Sequence, residues 1–388
     1  MVDTIERNQQ LLHAIQADDY AGYDPFDMLN SRIFRATPLY KSSLLRLAVL
    51  QFGKKSPINF RKLLLVPKAR NPKAVAICVL GLVEDFRRTG EAIYIDEALR
   101  LGQWLIENRS DPAEWHNACW GYHFDWQARA FYVPRGKPNI ITTVYVAKAL
   151  LALGEASGIT ALSDYAVDAA NFIRQHLYIP NGGEPYFAYI PGEKALVHNA
   201  SLWGAAWCSV AARICGDNDL QEMAHAVATT SAVAQSDDGS WEYGAASHHR
   251  FVDGFHTGYN IEALDLLRTQ TGIRDFDEAI RAGFSYYKNN FFTEEGIAKY
   301  YNNNVYPIDM HSFAQAILVF LKIDGYRKNS QIIDGMIEWA YRNMLSRKTD
   351  MFFYQKLKLY TNKVQYIRWT QAWMYYSIAC YNRHLDSK

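Results

Sequence analysis

Three histidines open comparable segments: His198 in HNASLWGAAW, His256 in DGFHTGYNIEAL and His311 in DMHSFAQAIL. Each segment continues as an apolar run of helical period. The N-terminus of a helix carries partial positive charge, which disfavours imidazolium. These rings are therefore expected to be neutral near pH 7 and able to accept a proton. The plainer reading is that each is a polar residue satisfied at the start of its own helix. Asp253 and Asp309 precede two of the histidines by three and two positions. Two carboxylates across a cavity suit glycoside hydrolysis when they stand roughly 5 to 9.5 Å apart. As acids at helix starts, they equally suit the helix dipole.

The elements that must position these groups follow a repeat. Apolar helical runs open near Asn71, Asn139, His198, His256, His311 and Thr370, and the last five are spaced 59, 58, 55 and 59 residues apart. Glycines Gly90, Gly158, Gly216, Gly272 and Gly325 follow five of the runs, as left-handed helix ends require. After each of the first five runs comes a helix with a single apolar stripe, as in YIDEALRLGQWLIENR. Helices buried all round alternating with half-exposed ones predict an inner ring wrapped by an outer ring. The fold class is therefore all-α, an (α/α)6 toroid with short β-hairpin loops at one rim. We expect a single domain over 1–388, with residues 1–30 as an N-terminal extension and SSLLRLAVLQF as the sixth outer helix.

The long loops into the inner helices are rich in glycine and aromatics and should gather at that rim, where binding groups concentrate. They bring together His198, Asn199, Arg250, Asp253, His256, Asp309, His311, Arg368 and Gln371, with Trp120, Tyr122, Trp126, Trp241, Tyr243, Tyr300 and Tyr354 above them. Flat rings plus hydrogen-bonding groups suit a sugar, and basic residues in the same loops favour an anionic one.

Composition bounds the rest. The chain has 388 residues, 49% of them hydrophobic, enough for a large core. With 41 basic and 40 acidic residues, net charge gives no reason to expect nucleic acid or an anionic membrane as partner, and any preference must be local. No secretory signal is evident and no transmembrane run is read, so a cytoplasmic location is expected. Cys78, Cys208, Cys215 and Cys380 read as reduced core residues. His248 and His249 are adjacent and no Cys or His pair has zinc-site spacing, so no metal is expected. Phosphate-loop and dinucleotide fingerprints are absent, and no cofactor is expected.

With these residues in view, the chain resembles the six-hairpin (α/α)6-toroid group of carbohydrate-active proteins. NASLWGAAW is similar to the helix start of alginate-lyase-like enzymes, with Asn199, Ser201 and Trp203 matching and Ala200 in place of the family's catalytic histidine. RFVDGFH is similar to that group's Arg…Tyr-His segment, with Arg250 and His256 matching and Phe255 in place of tyrosine. This resemblance implies that Asn199 and Arg250 hold a uronate carboxylate and that His256, His311 or Tyr259 moves the proton, giving elimination or epimerisation. The N-acylglucosamine 2-epimerase group, with histidines at its toroid mouth, is a further likeness. It implies an oligosaccharide or polysaccharide partner, and polysaccharide-assembly proteins as possible company. The alternatives are a hydrolase using Asp253 and Asp309, and a glycan-binding module without catalysis. QSDDGSW resembles the Q-W repeat of squalene-cyclase-like proteins, but no DxDD or DDxxD string accompanies it. Its glycine and tryptophan are expected to serve turn and packing.

Overall fold

The computed structural model describes residues 3–127 and 132–386. It is an (α/α)6 toroid. The inner ring runs α3 (Pro72–Thr89), α5 (Ile140–Ser157), α7 (His198–Cys215), α9 (Gly254–Thr271), α11 (Met310–Ile323) and α13 (Ala372–Asp386), and α13 closes against α3. Outside lie α4 (Ala92–Glu107), α6 (Ala161–His176), α8 (Asn218–Val233), α10 (Asp277–Asn290) and α12 (Tyr326–Met344), each on the inner helix before it.

The sixth outer place belongs to α1 (Thr4–Ala17), which packs on α13. Thr4 donates to Asn382 at 2.6 Å, and Asn8 donates to the Tyr375 carbonyl at 3.3 Å. The N-terminal segment is thus part of the ring rather than an extension. The helix expected in that place, α2 (Ser43–Lys55), lies instead over the rim, on the turn Asp27–Asn30 and the strand Trp126–Gln127. Its pattern misleads because its apolar residues serve two faces: Leu50 is buried, whereas Leu44 and Phe52 are exposed.

Helix ends follow the local sequence. Asn71, Asn139, Asp253 and Asp309 cap inner helices through their side chains, satisfying N–H groups that have no partner within the helix. Gly90, Gly158, Gly216 and Gly272 close them in the left-handed conformation. Gly325 does not; Asp324 ends α11, and Gly325 opens α12. Gly239 has φ +89°, and a Cβ there would come within 2.4 Å of the Ala282 carbonyl oxygen. Trp241 donates its indole N–H to the Ser231 carbonyl at 3.0 Å. Both serve turn and packing, as expected for QSDDGSW.

The rim loops pair in short antiparallel pieces: β1 (Ala21–Gly22) with β2 (Ala69–Arg70), β3 (Trp126–Gln127) with β4 (Tyr132–Val133), and β5 (Tyr178–Ile179) with β6 (Tyr186–Phe187). A three-stranded piece joins β7 (Ile308–Asp309), β8 (Gln355–Lys356) and β9 (Thr361–Asn362) in the order β7-β8-β9. Helix α5 is long and apolar enough to cross a membrane by composition, but most of it is buried within the ring. Cys78, Cys208 and Cys380 are buried as expected, whereas Cys215 is exposed at the end of α7.

Candidate active site

The inner helices share one register toward the lumen. The second residue of each, Lys73, Ile141, Asn199, Phe255 and His311, lines a single cavity of about 540 Å³. The second residue of the π-helical turn Ile367–Gln371 before α13, Arg368, completes the circle. The volume lies within the range of roughly 300 to 1,000 Å³ typical of small-ligand sites. Four residues further along, Tyr145 and Tyr259 meet both Trp203 and Trp373, the latter brought into line by the extra residue of the π turn. Their ring centroids lie 5.3 Å apart for Tyr145 and Trp373, 5.5 Å for Tyr145 and Trp203, and 5.9 Å for Tyr259 and Trp373. These rings form a floor beneath the cavity. Its walls come from the rim loops: Tyr122, Trp126, Tyr189, Tyr243, Tyr300, Tyr301 and Trp369.

Two proton-handling groups stand on that floor. Asp253 accepts from the His256 backbone N–H at 2.9 Å through one oxygen and meets His256 Nδ1 at 2.7 Å through the other. A carboxylate is an acceptor, so Nδ1 carries the proton and Nε2 keeps its lone pair on the open side of the ring. Asp253 is buried, while the His256 side chain is 19% exposed. His311 lies between Phe255 and Trp373, at centroid distances of 4.8 and 4.7 Å and near-parallel. Its Nε2 meets the Tyr259 hydroxyl at 3.1 Å, and its Nδ1 has no hydrogen-bond partner among the described residues. Burial holds its pKa well below the usual histidine value, and Lys73 and Arg368 add to this.

Lys73 donates to the Tyr259 hydroxyl at 3.3 Å, with its ammonium 4.6 Å from the Tyr145 ring centre. It has no ion-pair partner among the described residues, and burial lowers its pKa well below the usual lysine value. Arg368 is bidentate to Asp24 at 2.6 and 2.8 Å and lies 4.8 Å from the Tyr122 ring centre. Lys54, from α2, also reaches the cavity. An anionic ligand would thus meet Lys54 and Lys73, because Arg368 is already neutralised. Among the described residues, no group of three or more His, Cys, Asp or Glu is placed to hold a metal ion.

Of the residues expected at the rim, His256, His311, Tyr259, Asn199, Arg368, Tyr122, Trp126, Tyr243 and Tyr300 line this cavity. Asn199 keeps a buried carbonyl oxygen without a partner among the described residues. Eight others do not line it. His198 sits one residue before the lumen register, and its Nδ1 meets the Ser231 hydroxyl on α8 at 3.1 Å. Arg250 is exposed and does not line the cavity. Trp120 donates to the Leu105 carbonyl at 2.7 Å, and Trp241 is held by Ser231. Tyr354 packs on Tyr366 at 5.0 Å, and Gln371 bonds both backbone groups of Phe352. Asp253 and Asp309 also lie behind the lining. Asp309 accepts from the His311 backbone, Gln355 and the Trp369 indole. Its burial pushes the carboxyl up to about 6. They do not face the cavity as a pair of carboxylates, and each instead supports neighbouring side chains. Lys73, Lys54, Tyr189, Trp369 and Asp24 complete the site, and none was expected from the sequence.

Burial favours the neutral form of His123, His198 and His311. His198 and His123 are lowered to about 4, and His311 is lowered in the same direction. Each holds fewer protons folded than unfolded, so its contribution to stability is full above about 6.5 and lost as pH falls toward 4. Asp27 and Asp309, raised to about 6, act in the opposite sense and lose their contribution as pH rises from about 4 to 6. Four lowered imidazoles, His249 included, oppose four raised carboxyls, Asp85 and Asp265 included, over this span, so a single substitution is needed to isolate one ring. In urea-unfolding midpoints, His198→Asn should lower the slope of stability against pH between 4.5 and 6.5 by up to one proton. An unchanged slope in that variant would mean the ring is not held neutral.

A search against protein-family models finds no match, and neither does a search of curated protein sequences. Solved structures do match in fold. An unsaturated glucuronyl hydrolase specific for heparin superposes with TM-score 0.66 at 10% identity, covering 99% of this chain and 96% of its own. A sugar epimerase from a ruminal bacterium gives 0.62 at 12% identity, covering 82% and 90%. Cellobiose 2-epimerase from Spirochaeta thermophila gives 0.60 at 15% identity, covering 82% and 86%. All three neighbours are (α/α)6-toroid carbohydrate-active enzymes, and at these identities the chain shares their fold.

Proposed function

We propose that this toroid binds an anionic, uronate-type saccharide in the lumenal cavity and moves a proton at one of its carbons, as an epimerase does. The observation that carries the reading is His256, a cavity-lining residue whose Nδ1 is fixed by buried Asp253 while its other nitrogen has no hydrogen-bond partner among the described residues. An imidazole oriented in this way by a carboxylate can serve as a general base. His311, linked through Tyr259 to Lys73, supplies a second proton-bearing group on the neighbouring helix. Removing a proton with one group and returning it from the other inverts a carbon without net change in composition. Burial favours the neutral forms of Lys54 and Lys73, and an acid group bound beside them would restore the ammonium charge that holds it and acidifies the adjacent C–H. Neighbours named as sugar epimerase, cellobiose 2-epimerase and D-mannose isomerase accord with this reading, and those named as glucuronyl hydrolase and mannanase keep hydrolysis as the second one. The setting we propose is cytoplasmic polysaccharide biosynthesis, with the chain acting as one unit.

The test is incubation with uronic acids and uronate oligosaccharides in D₂O, followed by NMR. Deuterium should enter at one sugar carbon in the wild type and not in His256→Ala or His311→Asn. A new ultraviolet-absorbing double bond would mean elimination and new reducing ends hydrolysis. Affinity without any of these signals would mean a binding module. Each of those results overturns the epimerase reading.

A further inference from the structure

We propose that the rim segment from Ile33 to Leu65 docks this protein onto an anionic lipid bilayer. Eight of the eighteen large hydrophobic residues exposed among the described residues fall in this stretch, which is under a tenth of the chain. On α2 the residues Leu44, Ala48 and Phe52 recur every fourth position on the face turned away from the body. The opposite face is closely packed, since a Cβ on Gly53 would come within 1.9 Å of Met28 Cγ. Met28, Leu29, Leu50 and Val66 form a small core separate from the main one, and outside it Leu39, Ile58 and Leu63 are left in solvent. On the adjoining turn, Leu359 is 91% exposed, and the neighbouring Tyr360 hydroxyl donates to the Lys55 carbonyl at 3.4 Å.

The charge pattern selects the occupant. Between Asp27 and Glu84 the sequence holds eleven Lys and Arg and no Asp or Glu. Four of these cations pair with carboxylates: Arg35, Arg61, Lys68 and Arg70. Arg32, Lys41, Lys55 and Lys62 are exposed with no carboxylate partner among the described residues. Apolar side chains interspersed with free cations match the interface of an anionic bilayer, where acyl chains and headgroups present both chemistries side by side. A second copy placed face to face would set cation against cation. The neutral whole-chain balance conceals this patch, because the compensating acids lie elsewhere. Since α2 also carries Lys54 into the cavity, docking sets the cavity mouth beside the membrane surface.

The experiment is co-sedimentation of the full chain with vesicles of phosphatidylcholine alone or mixed with phosphatidylglycerol. Binding to the mixed vesicles is expected, weakening as salt is added. Leu44→Glu with Phe52→Glu should reduce it about tenfold or more. Lys41→Glu, Lys55→Glu and Lys62→Glu should each reduce it about fivefold. All these positions are exposed, so thermal melting should match the wild type and separate lost docking from lost folding. Absence of binding to the anionic vesicles, or equal binding by the variants, overturns the proposal. So does a dimer in sedimentation velocity that the Leu44 and Phe52 substitutions dissociate, which assigns the surface to a second copy. Capture by an immobilised acidic peptide without vesicle binding overturns it in favour of an acidic protein.

Discussion

Asp253→Asn is expected to lower the rate of deuterium exchange into substrate by about 10³ to 10⁴-fold while leaving the fold intact. The size follows from what an amide does beside an imidazole, and the same substitution in a serine-protease triad has an effect of this order. The first oxygen of Asp253 caps α9 through the His256 backbone N–H, and an asparagine carbonyl can accept that bond. The second oxygen accepts from His256 Nδ1. Replaced by an NH₂ group, that position becomes a donor and Nδ1 must accept. The ring proton then moves to Nε2, leaving the cavity side with no basic lone pair. Asp253→Asn and His256→Ala should therefore be similarly slow, while stability changes by less than about 1 kcal/mol in the asparagine variant. A rate within threefold of wild type would show that the tautomer of His256 does not matter and would remove it as the base.

The neighbouring repeat looks alike in sequence but is wired differently. Asp309 also caps its helix through a histidine backbone N–H, yet its other oxygen holds Gln355 and the Trp369 indole and not the imidazole. With two residues between Asp253 and its histidine, the carboxylate can bond both backbone and ring. With only one residue between Asp309 and His311, it reaches the backbone and the ring turns away toward Tyr259. One residue of spacing thus separates an oriented base from a histidine wired to a phenol and a lysine.

Ring architecture was legible because burial on one side or on all sides leaves a period in the sequence, and six such runs have few ways to pack. The lumen register was not. A helix buried all round shows no preferred face, so nothing in HNASLWGAAW marks Asn199 rather than His198 as the residue aimed inward. Matching histidine to histidine set the repeats one or two residues out of step. The alignment that works is Lys73, Ile141, Asn199, Phe255, His311 and Arg368, which share a place without sharing chemistry. Lys73 escaped notice as a lone cation near a helix start, although the preceding Asn71 cap gave its position. Asp24 escaped because the stretch between α1 and α2 carries no repeat signature in the sequence. Nine of the expected lining residues still fell on the cavity, because the rim loops and helix starts were located correctly.

Asp24 is also where the largest loss of stability is expected. Asp24→Ala should cost about 3 to 5 kcal/mol, because it leaves the Arg368 guanidinium buried with no counter-charge. The Arg368 side chain is 5% exposed and that of Asp24 is wholly buried, with two short bonds between them. Tyr23 pairs with Tyr366 beside them, so the contact joins the start of the chain to the turn that opens the last inner helix. Removing both charges is a different perturbation. In Asp24→Ala with Arg368→Met no ion is left uncompensated, and methionine keeps much of the packing against Tyr122 and Phe26. The double variant should therefore recover most of the loss, giving a coupling energy of several kcal/mol in a double-mutant cycle. Urea unfolding at pH 7 measures all four proteins. If the single variant lost less than about 1 kcal/mol, water would be reaching Arg368 and the pair would not seal the ring. A double variant no more stable than the single would place the cost in packing and not in charge.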